Sequence, residues 1–155
     1  MAKMPEKKIL RNKADDLWAA AVKEDWNHRC AICGKSGVLH AHHLIPRAHY
    51  AVRFDLRNGL ALCSYCHIRC HNKSPHKTSL AFDLWLKSHH PERFAWGTET
   101  ILSGAHEDFP ESGKTAAFFC DTIRYLKQYA SEEDYVRIVG VRFAAWLEED
   151  DRMKA

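Results

Sequence analysis

At 155 residues and 46% hydrophobic, the chain has room for one ordinary domain, or for a small site-bearing module with a helical extension, and it is too apolar to be disordered. No apolar run reaches membrane-spanning length. The opening M-A-K-M-P-E-K-K holds no stretch resembling a secretion signal, so the expected compartment is cytoplasmic, with no membrane partner. A formal charge of +3 conceals an asymmetry: residues 1–98 carry +8 and residues 99–155 carry −5. The basic part suits a polyanion, and the acidic part does not.

Taken in chain order, residues 1–8 are polar and Lys-rich. From Ile9 to His28, Leu10, Ala14, Leu17, Trp18, Ala21 and Val22 recur at helical spacing, and Trp18 and Trp26 are expected to seat this helix on the module after it. Cys30 to Gly37 reads as a metal knuckle with tight glycine turns. Val38 to Ile45 and Gly59 to Leu62 are short apolar pieces suited to an antiparallel ribbon, separated by a polar, Arg-rich loop. A short helix is expected from Ser64 or Tyr65 onward, carrying His67 and His71. Thr78 to Ser88 reads as a helix, and Pro91 opens another at its first position. The Gly-, Pro- and acid-rich stretch from Ser103 to Gly113 is the best boundary candidate. Two amphipathic helices finish the chain, one over Thr115 to Ala130 and one from Ser131 bearing Tyr135, Ile138, Val139, Phe143, Trp146 and Leu147.

The chemistry is concentrated between Cys30 and His71. Cys30, Cys33, Cys63 and Cys66 form two Cys-x-x-Cys pairs. In a reducing compartment these favour metal binding over disulfides, and four thiolates close a tetrahedral zinc site with no open position. Such a zinc is structural. His42 and His43 are adjacent on a strand, so they face opposite sides. His67 and His71 are one helical turn apart and face the same side. His42, His67 and His71 are therefore candidate ligands of a second, incompletely coordinated divalent metal, while His43 stays free. His40 shares the face of His42, and His76, being in a loop, is set aside as a ligand. Arg47, Arg53 and Arg57, in or beside the inter-strand loop, are candidate substrate-binding residues for phosphate, with pairing to Asp55 as the alternative.

The order His-His, Asn, His between two cysteine knuckles resembles the HNH, or ββα-metal (His-Me finger), endonucleases. The resemblance covers residues 28–76. It implies that His43 is the general base, that Asn58 ties down the inter-strand loop and fixes that base, and that His42 and His67 are metal ligands. The extra His71 resembles the colicin DNase branch. A weaker resemblance, through Trp18, R-F-D-L-R-N and F-D-L-W-L, is to phage recombination nucleases of the Rap/NinG kind. It implies a bacterial or phage-infected host cell.

The expected fold is α+β and mostly helical. It has a basic N-terminal helix (1–28), a ββα-metal nuclease module with zinc knuckles (29–77), flanking helices (78–104) and an acidic C-terminal helical hairpin (114–155). The expected function is metal-dependent hydrolysis of phosphodiester bonds in DNA. The cofactors are a structural Zn²⁺ and one catalytic Mg²⁺, Mn²⁺, Ni²⁺ or Zn²⁺. The alternatives are a catalytically inactive, zinc-stapled nucleic-acid-binding adaptor, or a nuclease subunit of a phage packaging, recombination or defence complex that docks to a protein partner through its acidic C-terminal helices.

Overall fold

A computed structural model describes residues 3–70 and 73–155. It begins with helix α1 (Lys7–Asp25), whose inward face is Leu10, Ala14, Leu17, Trp18, Ala21 and Val22. Asn27 and His28 take left-handed backbone angles, which a right-handed helix cannot continue through, so α1 stops before them. Strands β1 (Leu39–His43) and β2 (Gly59–Cys63) pair antiparallel, with Leu39 opposite Cys63 and His43 opposite Gly59. A short π-helical segment, Tyr65–Arg69, comes after β2. Then come α2 (Ser79–His89) and α3 (Pro91–Leu102), the latter opened by its proline.

The C-terminal part differs from the expected hairpin. It holds three helices, α4 (Ala116–Lys127), α5 (Glu132–Val139) and α6 (Val141–Lys154). Thr115 and Ser131 cap the first two by accepting from the amides of Phe118 and Asp134. Gly140, at φ 91° and ψ 138°, separates α5 from α6, a conformation that side-chain-bearing residues rarely adopt.

Two apolar cores result. One joins α1 to α4, α5 and α6 through Leu17, Trp18, Phe119, Ile123, Leu126, Tyr135, Val139 and Leu147. The stripe on the last helices is thus spent inside the molecule. Their acid is partly neutralised there too, since Arg124 pairs with Asp121, Asp150 and Asp151, and Lys127 pairs with Glu148. The second core joins the knuckle and ribbon to α2 through Leu39, Leu60, Leu62, Phe82, Trp85 and Leu86. Helix α1 touches both the ribbon and the C-terminal helices, so it is the wall between them. No described helix is long and apolar enough to cross a membrane.

Gly59 shows how closely α1 lies on the ribbon. A Cβ there would run into the Val22 side chain and would stand 2.8 Å from Trp18 Cζ2. Gly59→Ala is therefore expected to cost about 1–3 kcal/mol through overpacking, read as a lowered Tm. An unchanged Tm would mean that α1 is not clamped at this point.

Candidate metal and catalytic site

The four cysteine sulfurs lie within 4.8 Å of one another. The first knuckle is shaped by backbone bonds: the Cys30 amide donates to Lys35 O, the Gly34 amide to Cys30 O, and the Ala31 amide to Ala61 O on β2. Gly34 accommodates its positive φ, which is what turns Cys33 back toward Cys30. Cys33 and Cys63 sulfurs are 3.7 Å apart, and all four cysteines are free thiols. Burial alone would raise the Cys30 thiol, but amides of Cys33, Cys63 and Ile32 bring it down to about 7. Cys66 is pushed far up by burial and then by the neighbouring Cys30 charge. Four thiolates so crowded cannot ionise together unless a cation neutralises them. The donor set fits a structural metal such as zinc.

The second cluster forms on one face of β1. His42 Nδ1 is 3.2 Å from His67 Nε2, and His76 Nε2 is 3.0 Å from the same His67 nitrogen. The donor nitrogens of all three lie within 4.8 Å. Burial, then the neighbouring histidines, hold His42 down at about 3; burial, then His76 and His40, hold His67 at about 4. Both are neutral at pH 7, the state in which imidazole binds metal. Three nitrogen donors leave coordination positions open, unlike the cysteine set.

His76 reaches this cluster because of Ser74, which is fully buried. Its hydroxyl donates to His67 O at 2.6 Å and accepts from the amides of His76 and Lys77. One side chain thus ties the 73–77 turn to the His67 backbone. The expected third ligand, His71, lies outside the described residues. The helical segment that carries His67 ends at Arg69, and Cys70 is extended.

His43 points to the opposite side of β1. Its ring stacks on Trp18 of α1, with centroids 3.9 Å apart and planes 11° apart. Its Nε2 is 2.9 Å from Arg53 O. A carbonyl only accepts, so the proton sits on Nε2 and the Nδ1 lone pair is left free. Burial lowers the pKa of His43 below its ordinary value; the Arg53 charge lowers it further, while the Arg53 carbonyl and Asp15 oppose the shift.

Asn58 is fully buried. Its Oδ1 accepts from the Ile45 amide at 2.7 Å, and its Nδ2 donates to Ile45 O and Val52 O. It staples both ends of the inter-strand loop. It meets backbone rather than the His43 ring, so its hold on that ring runs through the loop that presents Arg53 O.

Residues 30–73 match the family model described as HNH endonuclease. This stretch, 44 of the 155 residues, is similar to the HNH domain. The family is one of nucleases acting on nucleic acid, and the small ββα fold around a four-cysteine site agrees with it. No curated protein and no solved structure matches the chain.

The arginines divide. Arg53, expected to touch phosphate, is 7% exposed; it forms a bidentate pair with Asp15 of α1 at 2.8 and 2.7 Å and donates to Arg47 O. Its guanidinium is spent on structure, which corrects that expectation. Arg57 pairs with Asp55 and lies over the Trp96 ring, although most of its side chain is exposed. Arg47 is exposed. His40 packs edge-on to His67 at 5.4 Å, beside the HNH histidines. Sequence reasoning missed Asp15 of α1 and Ser74, set His76 aside as a ligand, and gave Trp18 a packing role without its stack on the His43 ring. Asp15 and Trp18 stand three apart, on one helix face, which is the signal that could have found them.

Stripping metal from the cysteine cluster with a strong chelator is expected to lower Tm on the order of 10 °C or more. Cys66→Ser should reproduce the loss, together with loss of one equivalent of metal by elemental analysis. A Tm indifferent to both treatments would remove the structural role from this cluster.

Proposed function

We propose that the protein is a metal-dependent endonuclease that hydrolyses phosphodiester bonds in DNA, with His43 as general base. The observation that carries this reading is the pairing of His43, its proton parked on the Arg53 carbonyl, with a separate three-imidazole cluster beside it. His43 Nδ1 is the atom that takes a proton from the attacking water. The Trp18 face and the Arg53 carbonyl allow the imidazole one orientation and one tautomer. When the proton arrives, the Asp15 charge and the Arg53 carbonyl favour the imidazolium.

His42, His67 and His76 would hold the divalent cation. When bound, the cation supplies neutralisation of charge on a phosphate oxygen and the leaving oxygen. The depressed pKa values of His42 and His67 keep them available as ligands at neutral pH. Asn58 and Asp15 are positioning residues: one fixes the loop backbone, the other fixes Arg53, and both converge on the carbonyl that orients the base. Arg47, and the exposed part of Arg57, are the loop cations left to meet the flanking phosphates. The cysteine cluster, holding zinc, keeps the ribbon in register.

Plasmid nicking tests the reading. Wild-type protein is expected to nick with at least one of Mg²⁺, Mn²⁺, Ni²⁺ or Zn²⁺, and His43→Ala to be slower by about 10²- to 10⁴-fold. If the two were equally inert with all four metals, the chain would be a nucleic-acid adaptor rather than an enzyme.

The pH profile carries a second expectation. The base works only when neutral, so the rate falls as pH drops through the His43 pKa. Burial moves that pKa below the ordinary value of about 6.5, which places the acid limb below that pH. Asp15 pulls in the opposite direction, so Asp15→Asn should lower kcat and move the limb further toward acid. A variant that lost stability alone would leave the limb where it was. An acid limb above about 6.5 in the wild type would contradict the assignment of His43.

A further inference from the structure

The catalytic reading leaves unused a cavity of about 430 Å³ that opens beside His42 and His43. Its floor is apolar: Ile45, Phe82, Leu86 and Phe94 line it, and Phe82 meets the His42 ring edge-on at 5.8 Å. Its size falls within the range of small-molecule sites, about 300–1,000 Å³.

Gly97 points to a ligand. It lies in the interior of α3, where glycine costs about 1 kcal/mol relative to alanine. Its φ is not positive, so the backbone does not require glycine, and a Cβ built on it meets nothing within 4 Å. Yet the residue is buried and lines the cavity. Its missing side chain leaves that part of the cavity wall bare.

The mouth is polar in a particular way. Ser79, Thr98 and Asp83 stand there, and Asp83 makes no ion pair or hydrogen bond with a described residue. The one cation of the lining, Arg93, is already engaged by the carbonyls of Leu56, Arg57 and Gly59 and by Asp25. An apolar floor with an unpaired carboxylate repels phosphate. It suits a flat, neutral ring whose edge carries N–H donors, and Asp83 is placed to accept from such an edge.

We infer that this cavity receives an unpaired nucleobase next to the scissile phosphate, stacked against Phe82 and Phe94, so that the preferred substrate is DNA with an unpaired nucleotide at the cleavage position. The inference rests on the nuclease reading, because the cavity opens beside the proposed base and ligands. In a paired duplex the base is held in the stack and cannot enter; an unpaired base is already free to rotate out. Base–aromatic stacking of this kind accepts any base, so the preference is for a structure rather than a sequence.

The test compares one oligonucleotide as a perfect duplex and with a single-nucleotide bulge, at the same salt. Wild-type protein is expected to cleave the bulged form about ten-fold faster or more, and Gly97→Leu, whose side chain would project into the cavity, to bring the ratio toward one. Thermal melting verifies that Gly97→Leu is folded, and Asp83→Asn serves as a second, surface variant expected to lower the same ratio. Equal wild-type rates on both substrates, or a ratio unchanged in folded Gly97→Leu, overturns the inference while leaving the nuclease reading intact. A binding arm needs no turnover. A 2-aminopurine at the bulge should change its emission on adding His43→Ala protein, and should not do so when Gly97→Leu is also present. If the wild type cleaved nothing, the nuclease reading would fall, and the emission change would still decide whether the cavity takes a base. No change in emission overturns the inference.

Discussion

The seat of Trp18 on the ribbon is the constraint on which the site depends. One indole does three jobs: its face stacks on His43, its Nε1 donates to Asp55 O, and its edge lies over the bare Cα of Gly59. The side chain is 2% exposed, and burial of an aromatic of this size is worth about 1.5–3 kcal/mol. That energy comes from a helix outside the HNH segment. The helix in turn is held by the C-terminal core, with Lys13 Nζ donating to the last carbonyls of α5, Ile138 O and Val139 O. The His43 imidazole, mounted on a short strand, is thus braced by a much larger helical assembly.

Two neighbouring histidines come to different ends because strand alternation sends them to different surroundings. His42 enters a cluster of imidazoles in which burial and mutual repulsion keep the rings neutral. His43 enters a slot between an indole and a carbonyl, where its proton is confined to one nitrogen. The Arg53–Asp15 pair acts on that slot in opposite senses: the guanidinium disfavours the imidazolium, and the carboxylate favours it. Removing either partner would leave a buried charge uncompensated, which is far costlier than losing a surface pair. Arg53 is thus part of the mounting of the His43 ring.

Much of the arrangement is legible in the sequence because it is local. Helical spacing marks α1, α2 and the proline start of α3. The two Cys-x-x-Cys pairs and the His-His, Asn, His order mark the HNH module. The parts that escape are those that depend on chain reversal. His76 joins His67 only because a buried serine folds the 73–77 turn back on the π-helical segment, and nothing in K-S-P-H announces that its serine will be buried. Arg53 reads as a loop cation because its partner, Asp15, lies 38 positions away. Gly140 reads as part of one long helix because the stripe around it keeps its rhythm on both sides.

A two-stranded ribbon is marginally stable by itself, and the chain clamps it at both ends by different means. At the end where Leu39 faces Cys63, the cysteine cluster gathers both knuckles, and the Ala31 amide bonds to Ala61 O. At the end where His43 faces Gly59, α1 presses down, with Trp26 Nε1 donating to Gly59 O and Arg93 of α3 donating to the same carbonyl. His42 and His43 sit at the second end. A clamp built of thiolates there would have crowded the histidines with negative charge and competed for their cation. A clamp built of an indole and a guanidinium holds the strand while leaving the imidazole nitrogens free. The separation of the two donor sets along the ribbon keeps a closed, soft-ligand set apart from an open, nitrogen-ligand set within one small module.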